Sequence, residues 1–174
     1  MSKTMKKNQR RKAAVELKAK MESLRFQTVW GAEQKLDEVT PEILTRIDEE
    51  LRLFSNLQLV ADLLDLKIFV DRIKNELDHE IEPTIGMLAG SMVAYCLGFE
   101  PTNPMLSDKT PDLSDLKLPL QMYISYDNEI RNEIADWLRA NGYEMNTYFG
   151  QPLVRLKNSR IVLRRVVKDS TCES

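Results

Sequence analysis

Lysine and arginine concentrate at the two ends of this chain, and clustered positive side chains bind phosphate groups. The N-terminal cluster consists of Lys6, Lys7, Arg10, Arg11 and Lys12. The C-terminal cluster consists of Arg155, Lys157, Arg160, Arg164 and Arg165, followed by Lys168. Such clusters gain affinity for nucleic acid by releasing counterions from phosphates, without reading the base sequence. These are the predicted nucleic-acid-binding residues, although a solvated, disordered terminus explains the first cluster equally well.

Three aromatic residues, Tyr143, Tyr148 and Phe149, precede the C-terminal cluster. Aromatic rings beside basic side chains are typical of surfaces on which nucleic-acid bases stack. Aromatic residues in strands more often pack against neighbouring strands. Both interpretations stay open from the sequence.

Residue types that perform catalysis are present without a convergent pattern. Asp112 and Asp115, which follow Asp108, are three residues apart, whereas carboxylates on one face of a strand are two apart. We interpret these acids as a solvated loop. His79 is the single histidine and has no serine or cysteine partner nearby in the sequence, so we expect a surface histidine. The sequence predicts no catalytic residue, no metal site and no cofactor.

The overall composition hides a strong segregation of charge. The 174 residues are 43% hydrophobic and 30% charged, with a net charge of −2. Residues 1–25 contain nine basic and two acidic side chains, whereas residues 33–82 contain fourteen acidic and six basic ones. Cys96 and Cys172 form no disulfide framework, and the basic N-terminus lacks a secretory signal. We therefore expect a cytoplasmic protein without a membrane segment.

Helical patterns dominate the first half of the chain. We predict a basic helical arm at residues 1–25, broken at residues 26–31 and anchored by Trp30, before a single α+β domain at residues 26–174. Thr40-Pro41-Glu42 is a strong helix start. An amphipathic helix, or two separated near Asp65, follows at residues 57–80. Residues 84–99 contain no charge, which predicts a buried central helix begun by Thr84 and ended by Gly98.

Strand patterns appear in the second half. Within the helical part at residues 40–98 no strand is expected. A proline-rich loop at residues 100–119 leads to a sheet-containing part at residues 120–168: a strand at 120–126, a helix capped by Asp127 and stopped at Asn141-Gly142, a strand at 143–149, and a hairpin turning at residues 157–159. This order predicts an α+β fold with one sheet covered on one side by helices.

A family resemblance lies in two of these segments. Residues 89–99 read Ala-Gly-Ser-Met-Val-Ala-Tyr-Cys-Leu-Gly-Phe, with Pro104-Met105 shortly after. This resembles the C family of bacterial replicative DNA polymerases, the alpha subunit of polymerase III, in which Ala-Gly-Ser-Leu-Val-Ala-Tyr follows a phosphate-binding turn. The family's palm strand, Pro-Asp-Ile-Asp-Ile-Asp-Phe, precedes a helix with an early Glu and Arg. Residues 120–126, followed by Glu129 and Arg131, occupy a comparable place, so the resemblance covers roughly residues 85–143.

The departures from that family concern its chemistry. The resemblance implies carboxylates that hold two metal ions about 3.5–4 Å apart. Uncharged residues stand at the matching positions here, namely Gln121, Tyr123 and Ser125. They do not replace anionic ligands of a hard cation. Gly86 of the phosphate-binding turn is kept, but Ile85 and Met87 stand where the family has Arg and Ser. The resemblance therefore implies a palm-like body without polymerase activity.

The sequence favours a non-enzymatic intracellular accessory or adaptor protein. Its inactive palm-like body would contact DNA, RNA or a nucleic-acid-processing protein through the basic ends. The alternative is a protein interaction module without a nucleic-acid role, which would use the acidic helices. An enzyme is the third class and has the least support, since no catalytic constellation is visible.

Overall fold

The computed structural model describes residues 2–107, 110, 111, 113, 116 and 118–166, and it has the expected α+β fold. The helices are α1 (Lys3–Lys35), α2 (Pro41–Asn56), α3 (Val60–Leu77), α4 (Met92–Leu97) and α5 (Arg131–Ala140). The strands are β1 (Ile81–Thr84), β2 (Leu120–Asp127), β3 (Met145–Tyr148), β4 (Gln151–Arg155) and β5 (Ser159–Val166).

Helix α1 continues through residues 26–31, so the predicted break there is wrong. Leu24, Thr28, Gly31 and Ala32 recur at helical spacing and are all buried. Contacts of this face with α2, α3 and α4 keep the backbone helical at residues 26–31, where the sequence pattern predicted a break. Residues 2–19 are exposed along the first half of the helix. The predicted anchor Trp30 lies on the opposite side and is 56% exposed.

Helices α2 and α3 begin and end close to the predicted positions. The Thr40 hydroxyl accepts a hydrogen bond from the Ile43 amide, and Pro41 occupies the first turn of α2. Of the two alternatives left open for residues 57–80, the structure shows the single helix, without a break near Asp65. Its buried residues include Phe69, Val70 and Ile73. Packing of this face makes a single helix favourable.

The predicted central helix is wrong for most of its length. Residues 81–84 form β1, Gly86–Leu88 form a 3₁₀ turn, and only Met92–Leu97 are α-helical. Thr84 ends the strand and does not cap a helix. Gly90 has φ = +85°, which glycine adopts without strain, and it separates the 3₁₀ turn from α4. The prediction of burial and of a helix end at Gly98 is confirmed.

The five strands form one mixed sheet in the order β1-β2-β5-β4-β3. Strand β1 pairs antiparallel with β2, and β2 pairs in parallel with β5. The predicted hairpin is confirmed as β4 and β5, which pair antiparallel around residues 156–158. Pro83 has no backbone N–H to donate, and it is tolerated because β1 is an edge strand with no neighbouring strand on the side away from β2. The sheet therefore begins upstream of the region in which strands were expected.

The main hydrophobic core lies between one face of the sheet and the helices. Strand β2 buries Leu120, Met122 and Ile124 on this side. Phe69 of α3 packs edge-on against Trp137 of α5 and against Tyr143, with ring centroids 5.9 and 5.2 Å apart. The opposite face of the sheet is not covered by this core. We call it the outer face.

Several expectations concern residues outside the described part of the chain. These are Asp108, Asp112 and Asp115 of the acidic loop, Lys168 of the C-terminal cluster and Cys172. Among the described helices, none combines the length and the apolar character that a membrane span requires.

Cys96 is expected to resist alkylation in the folded protein. The residue is 4% exposed, and burial raises the pKa of its thiol to about 11. Since the thiolate is the reactive form, little of it is present at pH 8. In a Cys172→Ser variant, which leaves Cys96 as the single cysteine, a thiol reagent at pH 8 should label the protein only after denaturant is added. Rapid labelling of the native protein would contradict the buried position.

Candidate nucleic-acid interface

The three residues of β2 that stand where the polymerase family has carboxylates lie on the outer face of the sheet. Leu120, Met122, Ile124 and Tyr126 are buried, whereas the residues between them are half-buried. Gln121, Tyr123 and Ser125 therefore lie in a row on the outer face, two residues apart. The amide of Gln121 donates a hydrogen bond of 2.6 Å to the Tyr123 hydroxyl. Neutral polar groups occupy the row.

Three arginines of the C-terminal cluster join this row. Arg155 of β4 lies directly opposite Arg160 of β5. Arg164 lies on the same face, four residues along β5, because side chains of a strand alternate with a period of two. We call Arg155, Arg160 and Arg164 the arginine row. Like charges directly opposite each other on a sheet are unfavourable, so the Arg155–Arg160 pair favours an anion between the two groups.

The arginine row has no carboxylate partner within the described part of the chain. None of the salt bridges found there involves these three residues. Glu82 of β1 stands opposite Ser125, on the far side of β2 from β5. Positive charge is thus concentrated on β4 and β5. Arg155 and Arg164 are exposed and Arg160 is half-buried. Guanidinium groups form strong, charge-assisted hydrogen bonds with phosphate oxygens.

Tyr123 connects the two rows. The guanidinium carbon of Arg164 lies 4.4 Å from the centre of the Tyr123 ring. A cation over an aromatic face is attracted by the ring, which fixes the direction of the arginine. Arg164 is exposed, so this contact leaves its polar edge accessible to solvent. A planar arginine stacked on tyrosine suits both phosphate contact and base stacking.

A cleft of about 500 Å³ opens beside these residues. Gly86 and Met87 of the 3₁₀ turn, Leu118, Pro119, Gln121, Tyr123 and Arg160 line it. Strand β1 brings the turn there, because Thr84 pairs with Tyr123. The turn around Gly86, which matches the family's phosphate-binding turn, is therefore a neighbour of β2 in space. One side chain of the arginine row, Arg160, reaches the cleft.

A carboxylate of the protein itself accepts the hydrogen bonds that the residues after the Ala-Gly-Ser turn donate. Glu50 of α2 is 6% exposed and accepts hydrogen bonds from the Ser91 hydroxyl and from the amides of Met92 and Val93, at 2.6, 2.9 and 3.0 Å. Arg46 donates to Glu50 at 3.3 Å and to the carbonyl of Gly90 at 2.8 Å. Glu50 thereby satisfies the free amides at the start of α4, where an external anion would otherwise find donors.

The other predicted nucleic-acid-binding residues do not lie on the outer face beside the arginine row. Arg165 lies on the opposite side of β5 and approaches Asn128 at 3.5 Å. Lys157 lies in the turn between β4 and β5 and lines a small cleft with Asp65 of α3. The N-terminal cluster occupies the exposed first half of α1, and within the described residues no hydrogen bond or salt bridge joins it to the sheet. This cluster consists of Lys6, Lys7, Arg10, Arg11 and Lys12.

The aromatic candidates divide between core and surface. Tyr143 stacks on Trp137 at 5.5 Å and belongs to the packing of the helices against the sheet. Tyr148 and Phe149 pack edge to face at the turn between β3 and β4, and Phe149 is 91% exposed. Stacking of nucleic-acid bases therefore stays a prediction for Tyr148 and Phe149, and not for Tyr143. Sequence reasoning named Tyr123 only as a position that lacks a carboxylate, and missed it as a candidate interface residue that contacts Arg164. Its spacing of two from Gln121 and Ser125 was the available signal.

His79 and the acidic residues form no metal site in the part of the chain that the structure describes. His79 lies at the surface, as expected, with its Nε2 atom 3.0 Å from a carboxylate oxygen of Glu133. Across the described residues, no group of three or more His, Cys, Asp or Glu side chains is arranged to hold a metal ion. Comparison with known proteins adds no assignment, since neither a protein-family model nor a curated protein sequence matches this chain.

Proposed function

We propose that this protein is a non-enzymatic accessory or adaptor protein that contacts nucleic acid, or a nucleic-acid-processing partner, through an inactive palm-like body and its basic helix. The observation that carries the proposal is the arginine row, in which Arg155 faces Arg160 without a neutralising carboxylate in the described residues. Phosphates of a single strand running across β5 would neutralise these charges. The exposed arm of α1 would add affinity without sequence preference.

The polymerase resemblance supports a body that binds but does not catalyse. Two-metal phosphoryl transfer needs anionic oxygen ligands, which the resembled family has at alternate positions of its palm strand. Gln121, Tyr123 and Ser125 supply neutral groups at the corresponding row, and the neighbouring arginines would repel divalent cations. The chemistry of this surface therefore favours phosphate binding over metal binding.

Substitution of the arginine row tests the proposal. In a variant carrying Arg155→Ala, Arg160→Ala and Arg164→Ala, affinity for a fluorescent single-stranded oligonucleotide should fall about tenfold or more near 0.1 M salt. The slope of log K against log[salt] should become shallower by about 2, because roughly 0.7 counterion is released per phosphate contact. Fluorescence anisotropy across a salt series measures both quantities.

A matched control separates this effect from net charge. Arg52, Lys74 and Arg139 are also exposed and lie on α2, α3 and α5. Their replacement by alanine also removes three positive charges. It should leave the slope of log K against log[salt] within about 0.5 of the wild-type value. Equal losses in both variants would assign binding to overall charge. Absence of oligonucleotide binding by the wild type at low salt would remove the proposal.

One feature favours the alternative of a protein interaction module. A cleft of about 840 Å³ lies between α2 and the segment after α4. Glu42 and Glu49 line it as exposed acids, while Arg46 and Glu50 are engaged with each other. A basic peptide would suit this cleft. A partner whose binding depends on Glu42 and Glu49, and not on the arginine row, would support this function instead.

A further inference from the structure

The outward side of α1 carries large apolar side chains that the fold leaves in solvent. Phe26 and Trp30 are 71% and 56% exposed, and Val15, further towards the N-terminus, is 70% exposed. A groove of about 320 Å³ runs along Phe26, Val29 and Trp30. Two aromatic rings one helical turn apart form a contiguous apolar patch, which is typical of an interaction surface.

Six residues form one stripe along this side of α1. We call them the α1 stripe: Lys12, Val15, Ala19, Phe26, Trp30 and Glu33. At 100° per residue, they lie within a sector about 60° wide. The buried Leu24 and Thr28 lie on the opposite side of the helix, where α1 packs on α2, α3 and α4. We call these three helices, α5 and the sheet the body. The stripe therefore points away from the body, and each of its members is exposed.

The α1 stripe is symmetric about its centre. Successive members are 3, 4, 7, 4 and 3 residues apart. An antiparallel copy of the same helix, centred between residues 22 and 23, would therefore place every member opposite another member. Such self-complementarity is what a twofold interface requires, because residue i contacts j while j contacts i.

We propose that the α1 stripe binds a second copy of this chain as an antiparallel helix pair. Phe26 packs against the small Ala19 of the second copy, and Trp30 packs against Val15. Lys12 meets Glu33 of the second copy at each end of the stripe. Large side chains face small ones, and opposite charges face each other, so both shape and charge match in this register. The parallel arrangement would instead bring Lys12 against Lys12 and Phe26 against Phe26.

The dimensions of the fold allow this pairing. Residues 12–33 extend over about 32 Å at 1.5 Å per residue. Each body packs on the side of its own α1 that faces away from the stripe, so the two bodies lie on the outer sides of the pair. Lys6, Lys7 and Arg10 lie outside the 60° sector and stay accessible. The inference does not depend on nucleic-acid binding.

Mass in solution tests the dimer. Light scattering of the full chain, without nucleic acid, should give twice the chain mass of 20.2 kDa at micromolar concentration. A variant with Phe26→Glu and Trp30→Glu should give the single-chain mass with unchanged circular dichroism, since both side chains are exposed. Phe149→Glu, at another exposed aromatic residue, should leave the dimer intact. A monomeric wild type up to about 100 μM, or a dimer insensitive to the paired substitutions, would overturn the proposal.

Charge reversal tests the register. Lys12→Glu and Glu33→Lys should each weaken dimerisation about tenfold, because each places like charges together at both ends of the pair. Combining the two substitutions restores opposite charges and should return the dissociation constant to within about threefold of wild type. A parallel pair would show no rescue of this kind. Failure of the double variant to recover would exclude the antiparallel register.

Discussion

Replacing Gly31 with alanine is expected to destabilise the protein by roughly 3 kcal/mol. A Cβ atom at this position would lie 2.0 Å from the carbonyl oxygen of Cys96 and 2.9 Å from its carbonyl carbon. Both atoms belong to the backbone, so α1 and α4 would have to separate. Helix propensity alone predicts the opposite sign, since alanine in a helix is favoured over glycine by about 1 kcal/mol. Urea denaturation of the two proteins measures the difference.

Gly86 provides the matched control for this substitution. Its Cβ position has no neighbouring atom within 4 Å, and its φ is not positive. Gly86→Ala should therefore change the free energy of unfolding by less than about 1 kcal/mol. If Gly31→Ala stabilised the protein, the close approach of α1 to α4 would be wrong.

Loss of the Glu50 side chain is expected to have a similarly large effect. Glu50→Ala leaves the Ser91 hydroxyl and the amides of Met92 and Val93 without their acceptor in a buried site. Unsatisfied buried donors and the broken pair with Arg46 together predict a loss of about 3–5 kcal/mol. The midpoint of denaturant unfolding should fall accordingly, with little change in its slope.

Two further variants identify the cause. Glu50→Gln keeps one accepting oxygen and should lose less stability than Glu50→Ala, because part of the cap remains. Glu49→Ala, at the neighbouring exposed position, should change stability by less than about 0.5 kcal/mol. Equal effects of all three substitutions would show that capping of α4 is not the source of the stability.

The Glu50 cap also bears on the family resemblance. An Ala-Gly-Ser turn leaves amide groups at the start of α4 that require an acceptor. Here the acceptor comes from α2 of the same chain, 41 residues before Ser91. The turn is therefore complete without a bound phosphate, and any phosphate contact of the protein must come from other groups. The arginine row, on β4 and β5, offers such groups.

Local signals predicted the ends of several elements correctly. Thr40 and Pro41 begin α2 because the hydroxyl accepts a backbone amide and proline needs no donor. Asp127 accepts the Glu129 amide where β2 gives way to the turn before α5. Gly142, with φ = +72°, follows the end of α5. These features involve residues a few positions apart, so the sequence alone contains the interaction.

Part of the candidate site was also within reach of the sequence. Once residues 159–166 are interpreted as a strand, Arg160 and Arg164 must share a face, and Arg165 must lie on the other. Treating the C-terminal basic residues as one cluster overlooked this alternation. The partnership of Arg164 with Tyr123 was not predictable in the same way. It depends on the parallel pairing of β2 with β5, strands separated by a helix and two further strands.

The sequence by itself determined the class of fold, most of the helix ends, the hairpin and the apolar character of residues 84–99. Only the tertiary structure decided that this apolar segment divides into strand, turn and short helix, since β1 gains backbone partners on β2 and Glu50 caps α4. The same holds for α1, whose second half stays helical because the body buries one side of it. Hydrogen bonds and packing between distant segments made these choices, and such contacts leave no local pattern in the chain.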